Sequence, residues 1–171
     1  MKKTKIPLTT LCLCAFFAGL SIVLSIFRLP IGPVPINFTH TSIFAAVGLL
    51  GFKYGVLSQV VFVLVYIAIT GIQPHLAGFV VGYVACAVVT GLCINRFGRS
   101  VKSLIPAMYA GWVVTYLLGV PWFTHVLGLN LGAALPLAMF PFLIGDAVKT
   151  FIAVILINRL YPVVQKMGAA G

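Results

Sequence analysis

The sequence predicts an all-α integral membrane protein of six transmembrane helices with both termini in the cytoplasm, and three observations predict it. Of 171 residues, 62% are hydrophobic and 7% charged; so few charges cannot clothe a water-soluble domain of this size. The apolar runs fall into six windows near the roughly 20 residues that a helix needs to cross a bilayer. Lysine and arginine collect in every second connection, the pattern of cytoplasmic loops.

The first window, 8–27, follows the basic start MKKTK, and its apolar run is long for the core of a secretory signal, so it reads as a retained span. The second, 38–52, is short and meets the third, 54–72, at Lys53 with almost no loop. Windows 77–95, 103–121 and 144–161 complete one membrane domain over residues 1–171. Lipid cannot hydrogen-bond free backbone groups, and the runs lack the alternation of a membrane barrel, so they are helices. The segment 122–143 is uncharged, but Pro136 and Pro141 would interrupt a helix there. It reads as a re-entrant or surface-lying outer loop.

With the N-terminus inside, Lys2, Lys3, Lys5, Lys53, Arg96, Arg99, Lys102, Arg159 and Lys166 are cytoplasmic, against Arg28 alone outside. The formal charge of +10 builds no basic face for nucleic acid; it marks the ends of spans and attracts anionic lipid headgroups. Cys12, Cys14, Cys86 and Cys93 lie inside apolar segments, where they read as small buried hydrophobes and not as disulfides or zinc ligands. Three stretches, 28–41, 72–78 and 122–143, then face outward together and hold His40, His75 and His125, the makings of a binding pocket open to the outside. The histidine spacing is irregular, and no metal or cofactor site is expected.

Asp146 is the only acidic residue of the chain, and Lys149 follows three positions later, on the same face of a helix. A charge at the bilayer centre costs about 2.5–3.5 kcal/mol on insertion scales, so such residues are kept for function by default. A plainer alternative makes Asp146 the N-cap of the last helix, with Lys149 reaching toward headgroups. As a pair they offer an acceptor beside a donor, suited to a neutral ligand with N–H groups and a carbonyl, or to an anion held by Lys149 and the helix N-terminus. Catalysis is poorly supported: one acid excludes paired-carboxylate chemistry, and Lys149-Thr150 lacks the upstream glycines of a phosphate loop. In the first helix, Ala15 and Gly19 form a small-xxx-small pattern that lets another helix approach.

Four ordered motifs, IGPVPI (31–36), GFVVGY (78–83), YLLGVPW (116–122) and PFLIGDAVKT (141–150), resemble the BioY family, the biotin-specific S components of energy-coupling factor (ECF) transporters. The resemblance runs from about residue 30 to 160. It implies six helices, capture of biotin from outside, and coupling to a transmembrane T component with two ATPase subunits. It also implies ligand-binding roles for Gly145, Asp146 and Lys149, with either the ureido ring or the valerate carboxylate of biotin meeting the pair, the ureido ring preferred. Phe79, Tyr83, Tyr116 and Trp122 become candidates for packing around the thioether ring and tail, and Ala15 with Gly19 for docking the T component. The chain departs from the family twice. Asn37-Phe38-Thr39-His40 replaces the usual Gln-Thr after PVPI, which makes Asn37, Thr39 and His40 the first-loop contacts, and the glycine-rich cover between the third and fourth helices is cut to IQPHLAG, with His75 available to close the site. The shortened cover also fits an S component for another small vitamin or nitrogen heterocycle.

Overall fold

The computed structural model describes residues 7–27 and 37–169. The motif IGPVPI, Arg28 and the basic residues Lys2, Lys3 and Lys5 lie outside the described residues. Within them the chain is helical, in the order α1 (Leu8–Ile26), α2 (Thr39–Thr70), α3 (Ala77–Phe97), α4 (Val101–Leu127), α5 (Leu131–Ala138) and α6 (Leu143–Lys166), with short 3-10 turns at Pro74–Leu76 and Phe140–Phe142. Five of these helical stretches are long and apolar enough to cross a membrane. The protein is a multi-pass membrane protein.

The sixth segment comes from α2, which is two arms. Gly51 adopts φ 78° and ψ −179°, a conformation essentially restricted to glycine. The arms 39–50 and 52–70 fold back on each other there. Residues at similar distances from the turn come together: a Cβ at Gly55 would lie 2.5 Å from the Cα of Val47, and Ser21 Oγ bridges Ser42 Oγ (2.9 Å) and Gln59 Oε1 (3.1 Å). In a straight helix residues 47 and 55 would stand about 12 Å apart. The short second span and its missing loop are thus real, with the turn at Gly51 instead of Lys53.

Every residue from Thr39 to Gly51 is buried, so the first arm is the axis around which the other helices pack. Its Phe44, Leu49 and Leu50 form one core with Leu104, Met108 and Trp112 of α4 and Ala153 and Ile157 of α6. Such a helix can be only 12 residues long, about 18 Å, because protein and not lipid surrounds it.

The long segment before the last span contains no seventh crossing. Helix α4 runs on through Pro121 to Leu127, past the expected end at residue 121, and closes at Gly128 in the left-handed conformation. The eight-residue α5, capped by Asn130 Oδ1 accepting from Ala133 N at 2.8 Å, is too short to span. Cys14 and Cys86 are buried as expected, but Cys12 is exposed on the outer face of α1.

Alternation of the helices sends Lys53, Arg96, Arg99, Lys102, Arg159 and Lys166 to one end. There Arg99 Nε donates to the Gly48 carbonyl at 2.9 Å, and its guanidinium lies 4.5 Å from the centre of the Tyr161 ring. The last carbonyls of a helix lack intrahelical donors, and an arginine from the α3–α4 corner supplies one to the first arm of α2. Among the described residues Lys149 is the only lysine or arginine away from this end.

Candidate ligand-binding site

At the opposite end the helix termini surround a cavity of about 610 Å³, counting its open mouth. Five structural pieces contribute: the start of α2 gives Asn37 and His40, its second arm gives Tyr66, the turn before α3 and its first two turns give Leu76, Phe79, Val80 and Tyr83, α4 gives Trp112, Thr115 and Tyr116, and the α5–α6 corner gives Ala138, Phe142, Asp146 and Lys149. A chain this apolar would normally close such a space with aliphatic side chains. Here the walls are aromatic and the floor is polar.

The floor is the pair anticipated from sequence. Lys149 Nζ donates to Asp146 Oδ1 at 3.0 Å, and both side chains are at least 95% buried. The Tyr116 hydroxyl donates to the other oxygen, Asp146 Oδ2. Asp146 lies in the first turn of α6 but does not cap it: the cap position is Phe142, and no side chain bonds there. The N-cap alternative therefore falls, because both carboxylate oxygens are turned sideways toward α4 and Lys149. With one hydrogen bond to Asp146, Lys149 has two N–H groups without an acceptor among the described residues. Its Nζ also lies 5.2 Å from the centre of the Trp112 ring.

Trp112 organises the wall. Its indole N–H donates to Thr150 Oγ1 at 3.1 Å, which fixes the ring on α6 one turn from Asp146. His40 stacks on it with centroids 3.8 Å apart and planes 27° from parallel, and Tyr116 lies nearly parallel at 6.1 Å. Stacked and edge-on aromatic pairs hold one another in place, so the wall is positioned by its own ring contacts. Tyr116→Phe is expected to leave Asp146 Oδ2 buried without its donor and to cost about 1–3 kcal/mol, read as a lower thermal midpoint of the detergent-solubilised protein.

The structure brings Asn37, His40, Phe79, Tyr83, Tyr116, Asp146 and Lys149 to one cavity. It does not bring the other candidates there. Thr39 is fully buried behind the wall with its hydroxyl unpartnered, and Gly145 is half-buried with nothing within 4 Å of where a side chain would start. Trp122 is 44% exposed and turns its N–H away, to the Pro74 carbonyl at 2.7 Å. That bond ties the shortened 72–78 connection to α4, and the connection contributes Leu76 to the cavity in place of His75. Trp112, Thr115, Tyr66 and Phe142 line the cavity and were not anticipated. A polar or aromatic residue inside a uniformly apolar span carries no periodic contrast to show which way it faces; the indole of Trp112, which needs a hydrogen-bond partner when buried, was the one usable signal.

Comparison with known proteins bears on this arrangement. The BioY family model matches residues 1–166. The chain belongs to the BioY family. A BioY relative from Pyrococcus horikoshii, named "Probable biotin transporter BioY", is 30% identical over 155 residues, covering 86% of this chain and 93% of the relative. The "Biotin transporter BioY" of Rhizobium etli is 32% identical, over 85% of this chain and 89% of its own length. The crystal structure of the S-component for biotin from an ECF-type ABC transporter superposes with a TM-score of 0.79 at 24% identity, over 94% of each chain. The chain thus has the fold of that S-component, and its relatives are named as transporters.

Proposed function

We propose that this chain is the membrane-embedded S component that captures biotin from outside the cell. The observation that carries the reading is the buried Asp146–Lys149 pair on the floor of an aromatic cavity, in a member of the BioY family. The pair is neutral as a unit, and no other formally charged side chain lines the cavity among the described residues. A carboxylate placed at that depth would add an uncompensated negative charge in a medium where isolated charges are costly. A ureido ring adds none. Its carbonyl suits the two available N–H groups of Lys149, one N–H suits Asp146, and the thioether ring fits between aromatic walls, so the valerate carboxylate points toward the mouth.

The cation-rich end is cytoplasmic by the positive-inside rule, which puts the cavity mouth outside and both termini inside. The chain supplies no energy source of its own, and the reading assigns ATP hydrolysis to two ATPase subunits joined through a T component. Helix α1 offers the docking face: Ala15 is exposed, and nothing lies within 4 Å of a side chain added at Gly19.

Purified protein is expected to bind biotin in calorimetric titration, and absence of binding would sink the proposal. Mass spectrometry of the co-purified ligand separates biotin from another vitamin. Growth of a biotin auxotroph should be rescued only with the T component and ATPases present, and Gly19→Leu should abolish rescue while leaving biotin binding by the purified chain unchanged.

A further inference from the structure

We propose that His40 is a specificity-determining residue that accepts, through Nδ1, a hydrogen bond from a ring N–H of the ligand head; this deepens, and rests on, the biotin reading above. His40 sits in the first turn of α2, in the cavity wall. Its ring is fixed from three directions: it stacks on Trp112, meets Tyr83 edge-on at 5.1 Å, and places Nε2 3.3 Å from Thr115 Oγ1. The Thr115 hydroxyl in turn lies 3.1 Å from the Gly111 carbonyl oxygen and 3.4 Å from that of Gly82. Both are acceptors only. The single hydroxyl proton serves the nearer of them, the Gly111 carbonyl, and an oxygen lone pair is left for the imidazole.

Nε2 therefore carries the proton and donates, which makes Nδ1 the acceptor of a neutral ring. Nδ1 has no hydrogen-bond partner among the described residues, yet the buried side-chain atoms left without one there are Thr39 Oγ1 and Thr41 Oγ1. Nδ1 thus borders open space, and the space His40 borders is the cavity.

A cyclic urea asks for one donor and two acceptors. Lys149 is the donor. Asp146 is one acceptor, already engaged by Lys149 at Oδ1 and by Tyr116 at Oδ2. Elsewhere on the wall, Asn37 Oδ1 accepts from Thr39 N, the Tyr83 hydroxyl accepts from Asn37 Nδ2, and Thr115 accepts from His40. Among these described wall residues His40 Nδ1 is a side-chain acceptor that receives no hydrogen bond. It flanks the same indole as the donor, since the Trp112 ring has His40 stacked at 3.8 Å and Lys149 Nζ 5.2 Å from its centre. A second carboxylate in its place would charge the cavity, whereas a neutral imidazole reads an N–H without doing so. If His40 merely filled space, phenylalanine would serve as well.

The test is calorimetric titration of the full-length protein in detergent with biotin and with the two biotins methylated on one or the other ureido nitrogen. His40→Phe keeps a ring against Trp112 but loses Nδ1; it should bind biotin about 10- to 100-fold more weakly, the range for one unsatisfied buried donor. It should also lose the wild-type discrimination against one N-methyl isomer while keeping it against the other. His40→Asn, whose side-chain oxygen can stand near Nδ1, should stay within about 5-fold of wild type for biotin. His40→Phe binding biotin as wild type does, or His40→Phe and His40→Asn losing equally, would overturn the proposal while leaving the biotin reading intact. Wild-type protein that fails to bind biotin overturns both. If His40→Phe does not fold, the wild type still decides: both N-methyl isomers bound as tightly as biotin would remove any acceptor from the site.

Discussion

Lys149→Ala is expected to abolish measurable biotin binding and to lower the thermal midpoint of the purified protein substantially. The carboxylate of Asp146 is 2% exposed and sits in a membrane-spanning helix, so losing its cation leaves a buried charge with only the Tyr116 hydroxyl to solvate it. Breaking a buried pair from one side costs about 3–5 kcal/mol, most of it the desolvation of the survivor. Replacing both members together behaves differently. Asp146→Leu with Lys149→Leu removes both charges and fills comparable volume, which is neutral or stabilising in other buried pairs. The double variant should regain most of the midpoint that Lys149→Ala loses and still bind no biotin. Those two readouts separate a pair kept for the ligand from one kept for the fold: a double variant as unstable as the single one assigns the pair to the fold, and Lys149→Ala with wild-type affinity removes Lys149 from the site.

How far the sequence carried depended on whether a residue broke the apolar background. Asp146 and Lys149 were legible because a charge in lipid is costly enough to require a reason, and three-residue spacing on a helix leaves little choice of where they meet. The six segments were legible as apolar windows, the second of them short and joined to the third with almost no loop. The exact turn was not, because Lys53 looked like the corner while the backbone requirement fell on Gly51. The walls were read less well. Tyr116 and Tyr83 line the cavity, Trp122 does not, and Trp112 was passed over. In water a helix announces its inner face by hydrophobic contrast; in lipid both faces are apolar, and facing is decided by partners such as Thr150 and Thr115 that lie far away in the chain. Extension of α4 through Pro121 was hidden for a related reason. Proline signals a helix end in water, but membrane helices tolerate the loss of its i→i−4 bond, and α4 runs on for six residues past Pro121.

Gly55→Ala is expected to be strongly destabilising for the addition of a single methyl. The added carbon would stand 2.5 Å from Val47 Cα and 2.9 Å from Val47 N, backbone atoms that no rotamer change can move. Overpacking typically costs about 1–3 kcal/mol when side chains can give way; here the two arms of α2 must part. The first arm is buried along its whole length and carries His40 against Trp112, so opening the hairpin also displaces one wall of the cavity. Thermal midpoint and biotin affinity should fall together. Gly19→Ala is the matched control, since nothing lies within 4 Å of its new methyl and alanine favours the helix by about 1 kcal/mol; it should leave both readouts at or above wild type. Equal midpoints for the two variants would mean that the arms of α2 do not touch at Val47 and Gly55, and the axial position of the first arm would fall with that contact.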